Sequence, residues 1–291
     1  ALGASITVIG IDDGSTATDT SSNIQPPRHL SEVTIVELAC NLGHQRAIAI
    51  GLAHVHHLAA HDAVMVMDGD GEDQPAEISK FVQAYHANPN SIIVGQRSQR
   101  SEGALFGAFY GIYKRAFAVL TGHGIDFGNF CLIPREHVSR LVYMSELWNH
   151  LAACIIRSRL PISRIMTVRG SRYAGKSRMN FFSLVVHGLS AMAAFSDVLF
   201  ARILISSIVV VCVAGLCATT AVVLRFVTDM AIPGWTTTVV GMALVTIIQA
   251  VTLSTAAAFM VLSNRTSLPF VSAVNGLSFI RVIRRIETNG N

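Results

Sequence analysis

The chain has 291 residues, of which 51% are hydrophobic and only 14% are charged, a balance too apolar for one ordinary soluble domain. Charge also divides by position: residues 1–168 carry 12 Lys/Arg and 15 Asp/Glu, whereas residues 169–291 carry 10 and 3. The first half has no basic stripe with interleaved aromatic residues, which argues against nucleic-acid binding. We therefore expect a soluble part followed by an apolar, basic part at an anionic lipid surface.

Short apolar runs alternate with segments of helical spacing over the first 168 residues, which predicts an α/β domain with a largely parallel sheet. Strands are expected at 5–11, 33–38, 64–67, 91–95 and 162–168, and a further strand is expected at the end of 126–134. Helices are expected at 43–61, 75–87, 105–120 and, with interruptions, 136–157. Residues 15–30 are polar, contain two adjacent prolines and predict a loop.

One stretch of this domain predicts a metal-held nucleotide. The apolar run Val64–Met67 leads directly into Asp68 and Asp70, which a single glycine separates, and Glu72 and Asp73 follow. Carboxylates at the end of a buried strand lie in the crevice where open α/β sheets bind ligands. Two such acids can reach one hard divalent cation, which commonly bridges a diphosphate. A purely structural surface turn is the alternative.

The second half predicts a membrane hairpin. Ile203–Leu224 and Thr238–Leu262 are each long and apolar enough to span a bilayer. Basic residues flank the pair, whereas the turn at 225–234 carries only Arg225, so both termini are expected in the cytosol. Residues 179–199 have an amphipathic pattern, which fits either a helix in the membrane interface or a packed globular helix.

These patterns divide the chain into four parts. Residues 1–168 form the α/β domain, and 169–200 hold an arginine-rich loop and the amphipathic segment. Residues 201–264 form the hairpin, and 265–291 form a basic cytosolic tail. The five cysteines include no CxxC pair, which favours a reduced cytosolic setting without disulfides.

A series of motifs carries a family resemblance. In chain order these are IDDGS at 11–15, NLG at 41–43, MDGDGEDQP at 67–75, GQR at 95–97, GNF at 128–130 and RGSRYAGKSRMN at 169–180. With the hairpin that follows, the series resembles the family 2 glycosyltransferases of the polyprenyl-phosphate type, relatives of the dolichol-phosphate mannosyltransferases. The resemblance covers nearly the whole chain. It implies a GT-A-like fold, a UDP- or GDP-linked sugar donor, an undecaprenyl or dolichyl phosphate acceptor and a role in cell-envelope glycan synthesis.

The resemblance also implies roles for individual residues. Asp12 and Asp13 match the acidic turn that contacts the base and ribose, and Asp68 and Asp70 match the pair that holds Mg²⁺ or Mn²⁺. Glu72 stands near the metal, where relatives often have Gln. The expected catalytic residues are Asp70, Arg97 and Arg172, and the expected acceptor-phosphate residues are Arg172, Lys176, Ser177 and Arg178.

The chemistry fits these residue types. A metal and arginines stabilise charge on a nucleoside diphosphate leaving group. The nucleophile, a lipid phosphate oxygen, is already ionised at neutral pH, so no strong general base is needed. A single displacement inverts the anomeric carbon.

One departure from the family pattern bears on activity. Relatives begin with a central strand ahead of the DDGS motif, whereas only a few residues precede that motif here, so the domain is expected to lack its first strand. A truncated, non-catalytic membrane protein is therefore the alternative function. The sugar and a homo-oligomeric state stay open, and Asp126 and Asn129 either orient the acceptor or cap a turn.

Overall fold

The computed structural model describes residues 5–16, 30, 32–59, 61–97, 104–173, 188–228, 232–266 and 272–286. Contacts divide the chain into two compact units. The first unit contains residues 1–115, 123–194 and 270–291, and the second contains residues 116–122 and 195–269.

Strands form at the apolar runs, and helices form where the apolar spacing widens, as the sequence predicts. The strands are β1 (Thr7–Asp12), β2 (Glu32–Leu38), β3 (Ala63–Val66), β4 (Ile92–Arg97), β5 (Cys131–Pro134), β6 (Ile162–Thr167) and β7 (Ile280–Ile286). The α-helices are α1 (His44–Leu58), α2 (Ile78–Ala87), α3 (Ala104–Thr121), α4 (Arg135–Val142), α5 (Leu151–Ser158), α6 (Ser196–Val227) and α7 (Trp235–Thr266). Short 3-10 helices occupy Pro75–Glu77, Ser145–Trp148 and Asn275–Phe279.

The first sheet has the order β1-β2-β7. Strand β1 is parallel to β2, whereas β7 is antiparallel to it, with Val33 opposite Ile286. The carboxylate of Glu37 on β2 is buried and pairs with Arg281 and Arg284 on β7 at 2.7 and 2.9 Å. Residues 280–286, predicted to belong to a basic tail, instead form a sheet strand that pairs with β2 and whose arginines meet this buried acid.

The second sheet has the order β3-β5-β4-β6. Strands β4 and β6 are parallel, and β5 is antiparallel to both of its neighbours. The α/β class is thus confirmed, but the sheets are mixed rather than largely parallel, because β5 and β7 run against their neighbours. Within the described residues, β1 and β3 each pair along one edge only.

Helix α1 ties the first unit together. Its small buried residues Ala49 and Ala53 lie in one core cluster with Ile92 and Ile133 of the second sheet. Gly51 lets the helix approach β1 closely, since a Cβ there would lie 3.0 Å from Ile11. The start of α1 is therefore held beside the carboxyl end of β1.

The second unit is dominated by α6 and α7. Both are long and apolar enough to cross a membrane, with mean hydropathies of 2.5 and 1.9 over their most apolar windows. Only 17% and 11% of those windows are buried, whereas a core helix of a soluble protein is mostly buried. Of the predicted amphipathic segment, residues 179–187 lie outside the described residues, and residues 188–193 are helical.

Candidate active site

The acidic turn after β1 is built on a glycine. Asp12 accepts a hydrogen bond through Oδ1 from the backbone N–H of Ser15 at 2.9 Å. Gly14 has φ +66°, and a Cβ there would lie 2.6 Å from the backbone of Cys40 and Asn41. The turn therefore needs glycine both for its conformation and for its close approach to the segment after β2.

Asp13 fixes the entry into α1. Its two carboxylate oxygens accept hydrogen bonds from the backbone N–H groups of Leu42 and Gly43 at 2.7 and 2.9 Å. The Asn41 amide donates to the Asp13 carbonyl at 3.0 Å. These donors precede the first turn of α1, so this acid positions the helix start. Its expected contact with a base or ribose stays a prediction.

The turn after β3 is organised by its own acids. Asp73 accepts a hydrogen bond from the Asp68 backbone N–H at 3.0 Å, and Asp70 Oδ1 accepts one from the Glu72 backbone N–H at 3.0 Å. Gly71 has φ +93°, a conformation that other residues rarely adopt. These bonds fix the backbone of the turn and the side chain of Asp70, one of the residues that the sequence assigns to a metal.

The loop after β6 is joined to this turn through the backbone. Gly170 donates to the Glu72 carbonyl at 2.8 Å, and Tyr173 donates to the Asp70 carbonyl at 2.9 Å. The Tyr173 ring covers Gly71 so closely that a Cβ there would lie 2.8 Å from it. Two segments about a hundred residues apart in sequence thus form one structural unit.

Ion pairs also join the turn after β3 to the loop after β6. Arg172 lies 3.2 Å from Asp70 Oδ2 and donates to Glu72 Oε1 at 2.8 Å. Arg169 donates to Glu72 Oε2 at 2.6 Å. Burial would raise the pKa of Glu72, but the hydrogen bonds and charges of the two arginines outweigh it and lower that pKa. Both oxygens of Glu72 therefore face arginine, and its role as a metal ligand stays a prediction.

His44, the first residue of α1, lies on the opposite side of the acidic turn. Its Nε2 atom is 3.3 Å from Asp68 Oδ1 and 2.9 Å from the side-chain nitrogen of Asn129. The Asp68 contact raises the pKa of His44 above 6.5, against the effect of burial. A nitrogen donor thus lies beside the first of the two predicted metal ligands.

A divalent cation fits this group of residues. Asp68 Oδ1 is enclosed yet has no hydrogen-bond partner among the described residues. Mg²⁺ is usually held by one or two protein ligands together with substrate phosphates and waters. No three His, Cys, Asp or Glu side chains of the described segments enclose a metal by themselves, so phosphate oxygens would supply the remaining positions.

Comparison with known proteins agrees with this architecture. Residues 3–141 match the family model described as glycosyl transferase family 2. Over these residues the chain is similar to the family 2 glycosyltransferases. The Bacillus subtilis (strain 168) protein "Uncharacterized glycosyltransferase YkoT" is 24% identical over 194 residues, which are 65% of this chain and 56% of that protein.

A second relative, from Mycobacterium tuberculosis (strain CDC 1551 / Oshkosh), is also named as a glycosyltransferase. It is 27% identical over 143 residues, which are 48% of this chain and 41% of that protein. The chain therefore spans about half the length of these curated relatives.

The structure of the glycosyltransferase domain brings together only some of the predicted site residues. Asp70, Glu72 and Arg172 lie in direct contact. Asp68 belongs to the same turn after β3 as the two acids. Arg97 is the last residue of β4, where its backbone is opposite Thr167 of β6. Asp12 and Asp13 lie in the acidic turn at the end of β1, and the other predicted residues, Lys176, Ser177 and Arg178, lie outside the described residues.

Sequence reasoning missed two residues that contact the predicted site residues. His44 could have been predicted from the sequence, because it begins the helix that follows β2. Helix starts and strand ends share one edge of such a domain. Arg169 lies three residues before the predicted acceptor residue Arg172. Its pairing with Glu72 has no local sequence signal, since the partners are 97 positions apart.

Proposed function

We propose that this chain transfers a sugar from a nucleotide-sugar donor to a polyprenyl phosphate at the cytosolic membrane face, with inversion at the anomeric carbon. The observation that supports this most is the 3.2 Å contact between Asp70 and Arg172. It joins a donor-side carboxylate to an arginine assigned to the acceptor phosphate, and in-line transfer requires the two substrates to meet at one point.

On the donor side, Asp68 and Asp70 hold Mg²⁺ or Mn²⁺ against the diphosphate. When bound, the cation neutralises charge that develops on the departing nucleoside diphosphate. Asp13 keeps the start of α1 in place beside this site through its bonds to Leu42 and Gly43. Asp12, at the end of β1, is left to orient the nucleoside.

On the acceptor side, Arg172 attracts the lipid phosphate and lowers the charge repulsion between the two substrates. The ionised phosphate oxygen attacks the anomeric carbon directly, so the site needs no base comparable to that of a hydrolase. Lys176, Ser177 and Arg178 follow Arg172 closely in sequence and extend this cationic segment toward the hairpin.

The hairpin is consistent with a lipid acceptor. About thirty residues separate Arg172 from the apolar part of α6, and α6 and α7 are long enough to cross a bilayer. A polyprenyl phosphate carries its reactive group at the membrane surface. A chain anchored beside that surface meets such a substrate without extracting it.

The proposal is tested by incubating membranes that contain the chain with radiolabelled UDP- and GDP-sugars and polyprenyl phosphate. We expect label in an acid-labile lipid, lost with EDTA and in Asp70→Asn. Asp62→Asn, which changes an exposed acid just before β3, is the matched control and keeps full activity. Label on protein or water-soluble glycan, with none in lipid, contradicts the acceptor assignment. No label with any donor supports the non-catalytic alternative.

A further inference from the structure

The side chain of His44 is oriented by a chain of hydrogen bonds that starts at a backbone group. The Leu151 backbone N–H donates to Gln45 Oε1 at 2.8 Å, so the oxygen of this amide faces Leu151. Gln45 Nε2 then donates to Asn129 Oδ1 at 3.2 Å, and Asn129 Nδ2 faces His44 Nε2 at 2.9 Å. Because a backbone N–H can only donate, every amide in the chain has one allowed orientation.

The consequence is that the Nδ2 donor of Asn129 faces His44 Nε2, which accepts its hydrogen bond. Asp68 Oδ1, 3.3 Å away, is also an acceptor. This oxygen is enclosed and has no hydrogen-bond partner within the described parts of the chain. Two hydrogen-bond acceptors thus lie side by side, with no group between them that donates to both. An enclosed carboxylate oxygen without a hydrogen bond lowers the free energy of unfolding.

A divalent cation satisfies both atoms at once. Two ligands at right angles in an octahedral shell, each at about 2.1 Å from the ion, are about 3 Å apart. The observed separation of 3.3 Å between Nε2 and Oδ1 is close to this spacing.

We propose that His44 Nε2 is a direct ligand of the divalent cation, adjacent to Asp68 Oδ1, and that it favours Mn²⁺ over Mg²⁺. The inference rests on the proposed function, since it deepens the metal site of that reaction. Mg²⁺ prefers oxygen ligands, whereas imidazole is a common ligand of transition ions. Asp70 and the diphosphate oxygens complete the shell.

The test is pulsed electron paramagnetic resonance on the purified full chain loaded with Mn²⁺ and UDP or, separately, GDP. A directly bound imidazole modulates the Mn²⁺ echo through its ¹⁴N nucleus. We expect this modulation in the wild type, its loss in His44→Gln and its retention in His57→Gln, a control that changes an exposed histidine on the same helix. His44→Gln should weaken Mn²⁺ binding about tenfold and Mg²⁺ binding much less.

Two adverse outcomes are distinguishable. Mn²⁺ that binds with nucleotide but shows no ¹⁴N modulation overturns the ligand assignment and leaves the proposed transferase standing. Absence of nucleotide-dependent Mn²⁺ binding in both the wild type and His57→Gln overturns the metal site and the proposed function together.

Discussion

Arg172 occupies one oxygen of Asp70 and so competes with any cation for that carboxylate. Replacing it in Arg172→Gln removes the competing charge while keeping a similar side-chain length. The two side chains are 3.2 Å apart, with 30% and 34% of their surfaces exposed, so solvent screens the pair substantially. The free energy of this ion pair corresponds to a factor of about five in an equilibrium constant, which is near the upper end for surface ion pairs. We therefore expect Arg172→Gln to bind Mn²⁺ about fivefold more tightly in the absence of nucleotide.

The assay is a titration of Mn²⁺ followed by the resonance signal of the free ion. Arg169→Gln is the matched control, because Arg169 pairs with Glu72 but does not contact Asp70. We expect this control to bind Mn²⁺ as the wild type does. Equal or weaker binding by Arg172→Gln would refute the competition. Lipid-linked transfer should fall in Arg172→Gln despite the tighter metal, which separates metal affinity from catalysis.

Three further predictions concern stability, each measured by thermal or denaturant unfolding in detergent. Asp13→Ala leaves the Leu42 and Gly43 N–H groups without acceptors and should lower the free energy of unfolding by about 1–3 kcal/mol. Asp13→Asn, which keeps one acceptor oxygen, should lower it less. Equal losses in the two variants would contradict the role of Asp13 at the helix start. Gly14→Ala places a Cβ at φ +66° and 2.6 Å from the backbone of Cys40 and Asn41, and should destabilise the protein by about 2 kcal/mol or more. Gly124→Ala, where a Cβ would meet nothing within 4 Å, should be neutral. Burial lowers the pKa of His54 below 6.5, so between 6.5 and that lowered value the unfolded chain binds a proton that the folded chain does not. The free energy of unfolding should therefore fall as the pH drops through this range. His54→Leu should flatten this pH dependence, and an unchanged dependence would exclude His54 as its source.

Local sequence patterns predicted the order of most elements. Apolar runs fixed the strands from β1 to β6 because each is short and bounded by turn residues, and the acids after β3 fell where a strand ends. The 136–157 segment, predicted to be helical with interruptions, forms three helical pieces, Arg135–Val142, Ser145–Trp148 and Leu151–Ser158. His150 caps the last of these by accepting from the Ala153 N–H, a local signal that periodicity alone does not capture.

Long-range pairings were beyond the sequence. Nothing near residues 280–286 indicates that they pair with β2, because the partner acid, Glu37, lies 244 positions from Arg281. Likewise, the family resemblance placed Glu72 near the metal, but no local pattern indicated its contacts with two arginines nearly a hundred residues later. Strand pairing and ion pairing depend on which surfaces tertiary packing brings together, and the local pattern carries no such information.

The position of β7 determines when the first sheet can be completed during synthesis of the chain. Val33 pairs with Ile286, and both long apolar helices are encoded between these two residues. At the usual pace of translation, roughly ten to fifty seconds pass between the emergence of β2 and that of its partner. During that interval the edge of β2 and the carboxylate of Glu37 lack their closing strand, and the ribosome delivers the hairpin first. The nascent domain therefore reaches its finished sheet only after both helices have left the ribosome.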